Sequence, residues 1–152
     1  MALATFTVAA LSSTTTPALT TAYASRPTYA DGVTVESSAS QGFGRSLTQT
    51  FFASVTRAGG AFTGITFKVQ VSFDGANPLT AAAVNWTDIQ IVNLADSTKA
   101  IEQSISPGAN ATACATYGTQ DASNSPFVRV LVKSTGGNAG AGDSATINAV
   151  AS

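Results

Sequence analysis

The chain has 152 residues, 44% of them hydrophobic and only 10% charged, with a formal net charge of −1. This excludes an intrinsically disordered chain, which combines low hydrophobicity with high charge. The seven basic residues are scattered, so there is no basic stripe of the kind nucleic acid needs, and nucleic acid is not an expected partner.

The length suits a single domain over residues 1–152, large enough to bury a core without a disulfide or a metal. Ser, Thr, Asn and Gln must supply most of the polar surface. A soluble monomer usually carries more charge than this, so part of the surface is expected to be covered by neighbours.

The N-terminal stretch MALATFTVAALSSTTTPALTTAYAS is apolar and ends near Ala-Tyr-Ala. A signal peptide needs an early positive charge and an unbroken apolar run. Here the first basic residue is Arg26, and Thr5, Thr7 and Pro17 interrupt the run, so cleavage is not expected. No segment reaches the ~20 apolar residues of a membrane helix, and a membrane is not an expected partner.

Phe6 and Val8 alternate with Thr5 and Thr7, which predicts a first strand. Residues 12–30 are rich in Thr, Ser, Ala and Pro without a sustained period, and read as an extended arm or long loop. Tyr23 and Tyr29, with Arg26 between them, suit an interface; the alternative is that they pack on the domain's own flank. Val33 and Val35 follow the turn at Asp31 and Gly32.

Residues 45–57 place Leu47, Phe51, Ala53 and Val55 on one face. Residues 63–73 place Ile65, Phe67, Val69, Val71 and Phe73 on one face, with Thr66, Lys68, Gln70 and Ser72 on the other. The link Ala58-Gly59-Gly60-Ala61 predicts that these two runs form a hairpin.

Asn77 and Pro78 open the best candidate for a helix, one or two turns through Ala83. Ile89 and Ile91 alternate with Asp88 and Gln90 as one short strand candidate, out of phase with Val84 and Trp86, which predicts a bulge or bend near Thr87. Val128, Val130 and Val132 define a late strand; its other face, Phe127, Arg129, Leu131 and Lys133, is mixed and expected to be partly covered. Ala145, Ile147 and Ala149 follow the glycine-rich turn at 136–140 as a closing strand. About eight short strands separated by turn signals predict an all-β, antiparallel β-sandwich, with jelly-roll and immunoglobulin-like strand orders both open.

Chemistry is hard to place. Histidine is absent, which removes Ser-His-Asp and Cys-His arrangements and the commonest metal ligand. Cys114 has no histidine to activate it and lies in an Ala/Thr-rich run, so a buried inert thiol is expected. Asp74, Asp88 and Asp96 are the carboxylates that could pair for glycoside hydrolysis, but each has an ordinary turn or strand-end reading. No stretch resembles a calcium loop. The chain is therefore not expected to be an enzyme, nor to carry a metal or cofactor. Trp86, the only tryptophan, reads as a core residue, with a sugar platform or an interface anchor as alternatives. Asn85-Trp86-Thr87 and Asn110-Ala111-Thr112 fit the glycosylation pattern, which has meaning only in a secreted chain.

The stretch Val69-Gln70-Val71-Ser72-Phe73-Asp74-Gly75, then Asn85-Trp86-Thr87-Asp88, then Phe127-Val128-Arg129-Val130-Leu131-Val132, resembles small structural proteins of tailed-phage virions. The resemblance covers about residues 61–135, roughly half the chain, and rests on weakly specific motifs. It implies a jelly roll that decorates or cements the capsid surface, a homotrimer bound to the major capsid protein. A tail, collar or fibre component is the alternative within that class, and a secreted carbohydrate-binding or adhesion module is the alternative outside it. As interface candidates we take Tyr23, Arg26, Tyr29, Phe127 and Arg129.

Overall fold

A computed structural model describes residues 4–16, 18–23, 49–72, 85–119 and 127–151; for 4–6, 49, 72, 127, 128 and 151 it describes the backbone alone. The ten strands are β1 (Ala4–Ser12), β2 (Gln49–Arg57), β3 (Gly64–Ser72), β4 (Thr87–Ile89), β5 (Ile91–Asn93), β6 (Lys99–Ala100), β7 (Glu102–Ile105), β8 (Ala111–Thr119), β9 (Phe127–Thr135) and β10 (Ser144–Ala151). Every pairing is antiparallel, and the described residues contain no helix.

The strands form two sheets. The larger runs β1-β10-β2-β8-β5-β6. The smaller is built on β3, which pairs along its whole length with β9 on one edge. On its other edge it pairs end to end with β7, over Ile65 to Lys68, and β4, over Val69 to Val71. The chain is thus an all-β antiparallel sandwich, as its alternation predicts.

The core follows from that alternation. Ile65, Phe67, Val69 and Val71 of β3 face inward together with Val130 and Val132 of β9. Phe51, Ala53 and Val55 of β2, Ala145, Ile147 and Ala149 of β10, and Tyr117 of β8 meet them from the larger sheet. Small alanines in β2 and β10 leave room for the aromatic rings, as close packing requires. Phe67 and Tyr117 join the two sheets edge to face, with centroids 4.8 Å apart. Burial pushes the Tyr117 phenol up to about 12, with the charge of Asp96 adding to the effect. In β1 the register shifts between Thr7 and Ala9, so Val8 and Ala9 both face the core. This bulge reconciles Val8 with Leu11, which a strict two-residue period would put on opposite faces.

Three expectations need correction. β2 and β3 are not a hairpin: β2 pairs with β10 and β8, whereas β3 pairs with β4, β7 and β9. The link between them crosses from one sheet to the other. It is held by the Ala58 amide donating to Asp143 Oδ1 at 2.7 Å and by the Thr63 amide donating to the Thr135 carbonyl at 2.9 Å. Second, Ile89 and Ile91 do not share a strand, because the chain changes sheet at Gln90, between β4 and β5. Third, of the two readings for residues 12–30, the described part fits the loop and not the extended arm, since it lies against the body. Leu19 is fully buried, its amide donates to the Ser12 carbonyl, and the Thr20 carbonyl accepts from the Ser134 amide. The strand at Val33 and Val35, the helix at 77–83, and residues 24–30 of the proposed arm lie outside the described residues.

Two positions fix the crossing geometry. Gly64 has φ of 156°, and a Cβ there would lie 2.1 Å from the Ile105 carbonyl oxygen, so only glycine lets β7 approach β3 this closely. Asp143 is buried and accepts from the amides of both Ala58 and Gly140, which ties the β2–β3 crossing to the β9–β10 turn. Asp143→Ala leaves both donors without that acceptor. We expect it to cost about 2 kcal/mol, or roughly 4–8 °C in Tm for a chain of this size, with Asp143→Asn losing less; an unchanged Tm would contradict the clamp.

Candidate functional site

The outward face of the smaller sheet carries the chain's densest group of charged and aromatic side chains among the described residues. Its geometry follows from register. Arg129, Gln70 and Asp88 stand opposite one another on β9, β3 and β4. Leu131, Lys68 and Glu102 form the next row, and Lys133, Thr66 and Ser104 the third.

The first row is bonded through. Arg129 Nε donates to Gln70 Oε1 at 2.7 Å, and Gln70 Nε2 donates to Asp88 Oδ1 at 2.7 Å. Gln70 is buried, so its amide must be satisfied on both sides, and this row does so. Lys68 Nζ sits 3.3 Å from Asp88 on the diagonal, and the hydroxyls of Thr66 and Ser104 pair at 2.8 Å.

Two aromatic rings lie over this grid. Lys68 and Lys133 approach the Tyr23 ring at 5.0 and 4.6 Å, and the Tyr23 hydroxyl donates to Glu102 Oε1. The Arg129 guanidinium stacks 4.3 Å from the centre of the Trp86 ring. Burial raises the Tyr23 phenol well above its ordinary range, followed by the hydrogen bond to Glu102 and the charges of Glu102 and Asp88. The hydrogen bond from Gln70 holds the Asp88 carboxyl below the usual carboxylate range; Lys68 and Arg129 add to this, and burial opposes it.

Of the interface candidates, Tyr23 and Arg129 come together on this face, though they start far apart in sequence. Arg26, Tyr29 and the Phe127 side chain lie outside the described residues. Trp86 is not a core residue: it is half-buried on the outside of the sheet, beneath Arg129, which occupies one face of its indole. Asp88 is more than a strand end, since two side chains anchor it. Asp96 is exposed and accepts from the Thr98 amide, the ordinary turn role. Among the described residues, no group of three His, Cys, Asp or Glu side chains could hold a metal ion.

The opposite outer face is of another kind. Across β1, β10, β2 and β8 the outward rows run Thr7–Asn148–Phe52–Thr116 and Ala10–Thr146–Ser54–Cys114, with Ser, Thr, Gly and Val150 in the flanking rows. None of these positions is charged. Cys114 is exposed here, not buried. Ala113, Ala115 and Tyr117 take the inward positions of β8, so Cys114 falls on the outward parity opposite Ser54. Phe52 and Leu94 are the prominent exposed apolar groups on this face, at 43% and 56%.

No protein-family model, curated protein or solved structure matches this chain.

The depressed Asp88 carboxyl gives the network a pH signature. A folded value below the unfolded one of about 3.9 contributes stability that is present above the unfolded value and lost as pH falls through the folded one. Denaturant titrations at successively lower pH should therefore show wild type losing an increment below about pH 4 that Asp88→Asn lacks, with Gln70→Ala showing a reduced one. Parallel acid profiles for all three would contradict this account.

Proposed function

We propose that this chain is a structural protein of a tailed-phage virion. In this reading it is a jelly roll that binds the outside of the capsid through the Tyr23–Arg129 face and stabilises the lattice. The observation that carries the reading is the preorganisation of that face. Arg and aromatic side chains are the usual anchors of protein interfaces. Here Arg129 is held by Gln70 and Trp86, and Tyr23 by Glu102 and two lysines, before any partner arrives. Side chains already fixed lose less entropy on docking. The alternation of three cations with two carboxylates suits a protein partner of mixed charge, such as the major capsid protein.

Strand order supports the jelly-roll part. A jelly roll of about eight strands places its first, eighth, third and sixth strands side by side in one sheet. The other sheet holds the second, seventh, fourth and fifth. Here β1, β10, β2 and β8 stand in the first order, and β9, β3 and β7 with β4 in the last three places of the second. The second place has no counterpart among the described residues. The β5–β6 hairpin is then an excursion from the fifth strand that widens the larger sheet.

A cement protein stabilises the lattice by binding it in preference to free subunits, worth about 2.7 kcal/mol at roughly a hundredfold excess over Kd. The test is co-sedimentation with capsids of the encoding phage assembled without this chain. Wild type should pellet with them and raise the temperature at which they open. Arg129→Glu and Tyr23→Ala, shown folded by circular dichroism, should stay in the supernatant. A wild-type chain that never pellets would refute the capsid reading; pelleting with tails alone would move the protein to the tail.

A further inference from the structure

We infer that two copies of this chain pair face to face through the uncharged outer face of the larger sheet, with Phe52 of each seated over Gly118 of the other. The argument begins with charge. A two-fold pair sets a surface against itself, so like charges meet wherever a surface is charged. Among the described residues, the outward positions of β1, β10, β2 and β8 carry no Lys, Arg, Asp or Glu; Arg57 ends β2 on the inward parity, Asp143 lies buried before β10, and Lys99 and Asp96 lie beyond β5 at the rim. An uncharged centre with a polar rim is the ordinary anatomy of a specific interface.

The polar groups of the face are partly matched already. Thr7 Oγ1 donates to Asn148 Oδ1 at 3.0 Å, and the hydroxyls of Thr56 and Thr112 pair at 2.9 Å. Covering such groups costs less than covering groups that depend wholly on water.

The relief is self-complementary. Phe52 projects from β2, opposite Thr116 of β8. Gly118, two residues further along β8, has no side chain, and the Leu94 side chain stands beside it, with Cδ2 3.4 Å from where a Cβ would be. Knob and hollow are diagonal neighbours roughly 7–8 Å apart. A two-fold axis lying in the interface and bisecting the line between them puts each Phe52 into the other copy's hollow, with Leu94 as its wall.

The area is sufficient. Four long strands spaced by about 4.8 Å and about eight residues long at roughly 3.3 Å each give on the order of 500 Å² in projection. Two such faces reach the roughly 1,000 Å² expected of a specific interface. The result is a dimer, in contrast to the trimer that the phage resemblance implies.

Light scattering over a wide concentration range, combined with the rate at which dithionitrobenzoate modifies Cys114, tests the pairing. Cys114 is the only cysteine and lies on the same face. Wild type should rise to twice the chain mass while Cys114 becomes several-fold slower to react. Phe52→Asp and Gly118→Val should remain at the chain mass with fast-reacting Cys114. Arg129→Glu, on the other outer face, should pair as wild type does, which separates this inference from the capsid-binding one. A monomer at every concentration, a trimer, or an oligomer that persists in Phe52→Asp with Cys114 still reactive would overturn it.

Discussion

Every strand of the smaller sheet hydrogen-bonds to β3, and the rest of the molecule is arranged around that constraint. β3 therefore has to be covered on both faces. Inward, Ile65, Phe67, Val69 and Val71 close the core against β2, β8 and β10. Outward, Thr66 and Gln70 are buried too, beneath a layer of charged and aromatic side chains. A buried glutamine is tolerable only when both ends of its amide are matched. Arg129 and Asp88 supply the match, and their own positions are fixed by pairing with β3. Structural necessity in β3 thus generates an ordered surface without any separate device.

The two outer faces then diverge in character for a simple reason. Across β1, β10, β2 and β8 the outward rows of the larger sheet hold mostly small hydroxyl, amide and alanine side chains, with Val150, Phe52 and Cys114 as the exceptions. Such rows pair within the sheet and present a low relief. The smaller sheet concentrates Lys68, Lys133, Arg129, Asp88 and Glu102 on one side. Of the nine charged residues among those described, five stand on this one face.

Much of this was legible in the sequence, because burial of one strand face imposes a period of two. The runs around Phe67, Val55, Val130 and Ile147 place in the core every expected residue whose side chain is described; Leu47, Phe73 and the Val128 side chain lie outside the described residues. Partner choice was not legible. Ala58-Gly59-Gly60-Ala61 has the composition of a hairpin turn, yet here it spans two sheets, and only the tie to Asp143, distant in sequence, records that. Cys114 was misplaced because Ala and Thr on either side of it are too alike in hydropathy to reveal parity; Tyr117 was the one usable signal. Tyr23 and Arg129 were legible as residue types suited to an interface. Their meeting depends on the register of β9 with β3 and on the path of residues 18–23, neither of which is encoded locally. Trp86 was read inward because a lone tryptophan usually is, but its neighbour Arg129 across the sheet gives it a partner outside.

The pairing of β2 with β8, and not with β3, is the claim on which the strand order and both outer faces rest. It can be tested with one added cysteine. Ser54 and Cys114 are register partners, with Sγ and Oγ 3.7 Å apart, and facing residues of antiparallel strands have Cα atoms about 4.5–5.5 Å apart, within the range a disulfide spans. Mild oxidation of dilute Ser54→Cys should give an intrachain disulfide between residues 54 and 114, identified by mass spectrometry of the digested chain. Free thiols, or bonds only between chains, would mean that β2 does not lie beside β8 and that the sandwich is assembled in another order.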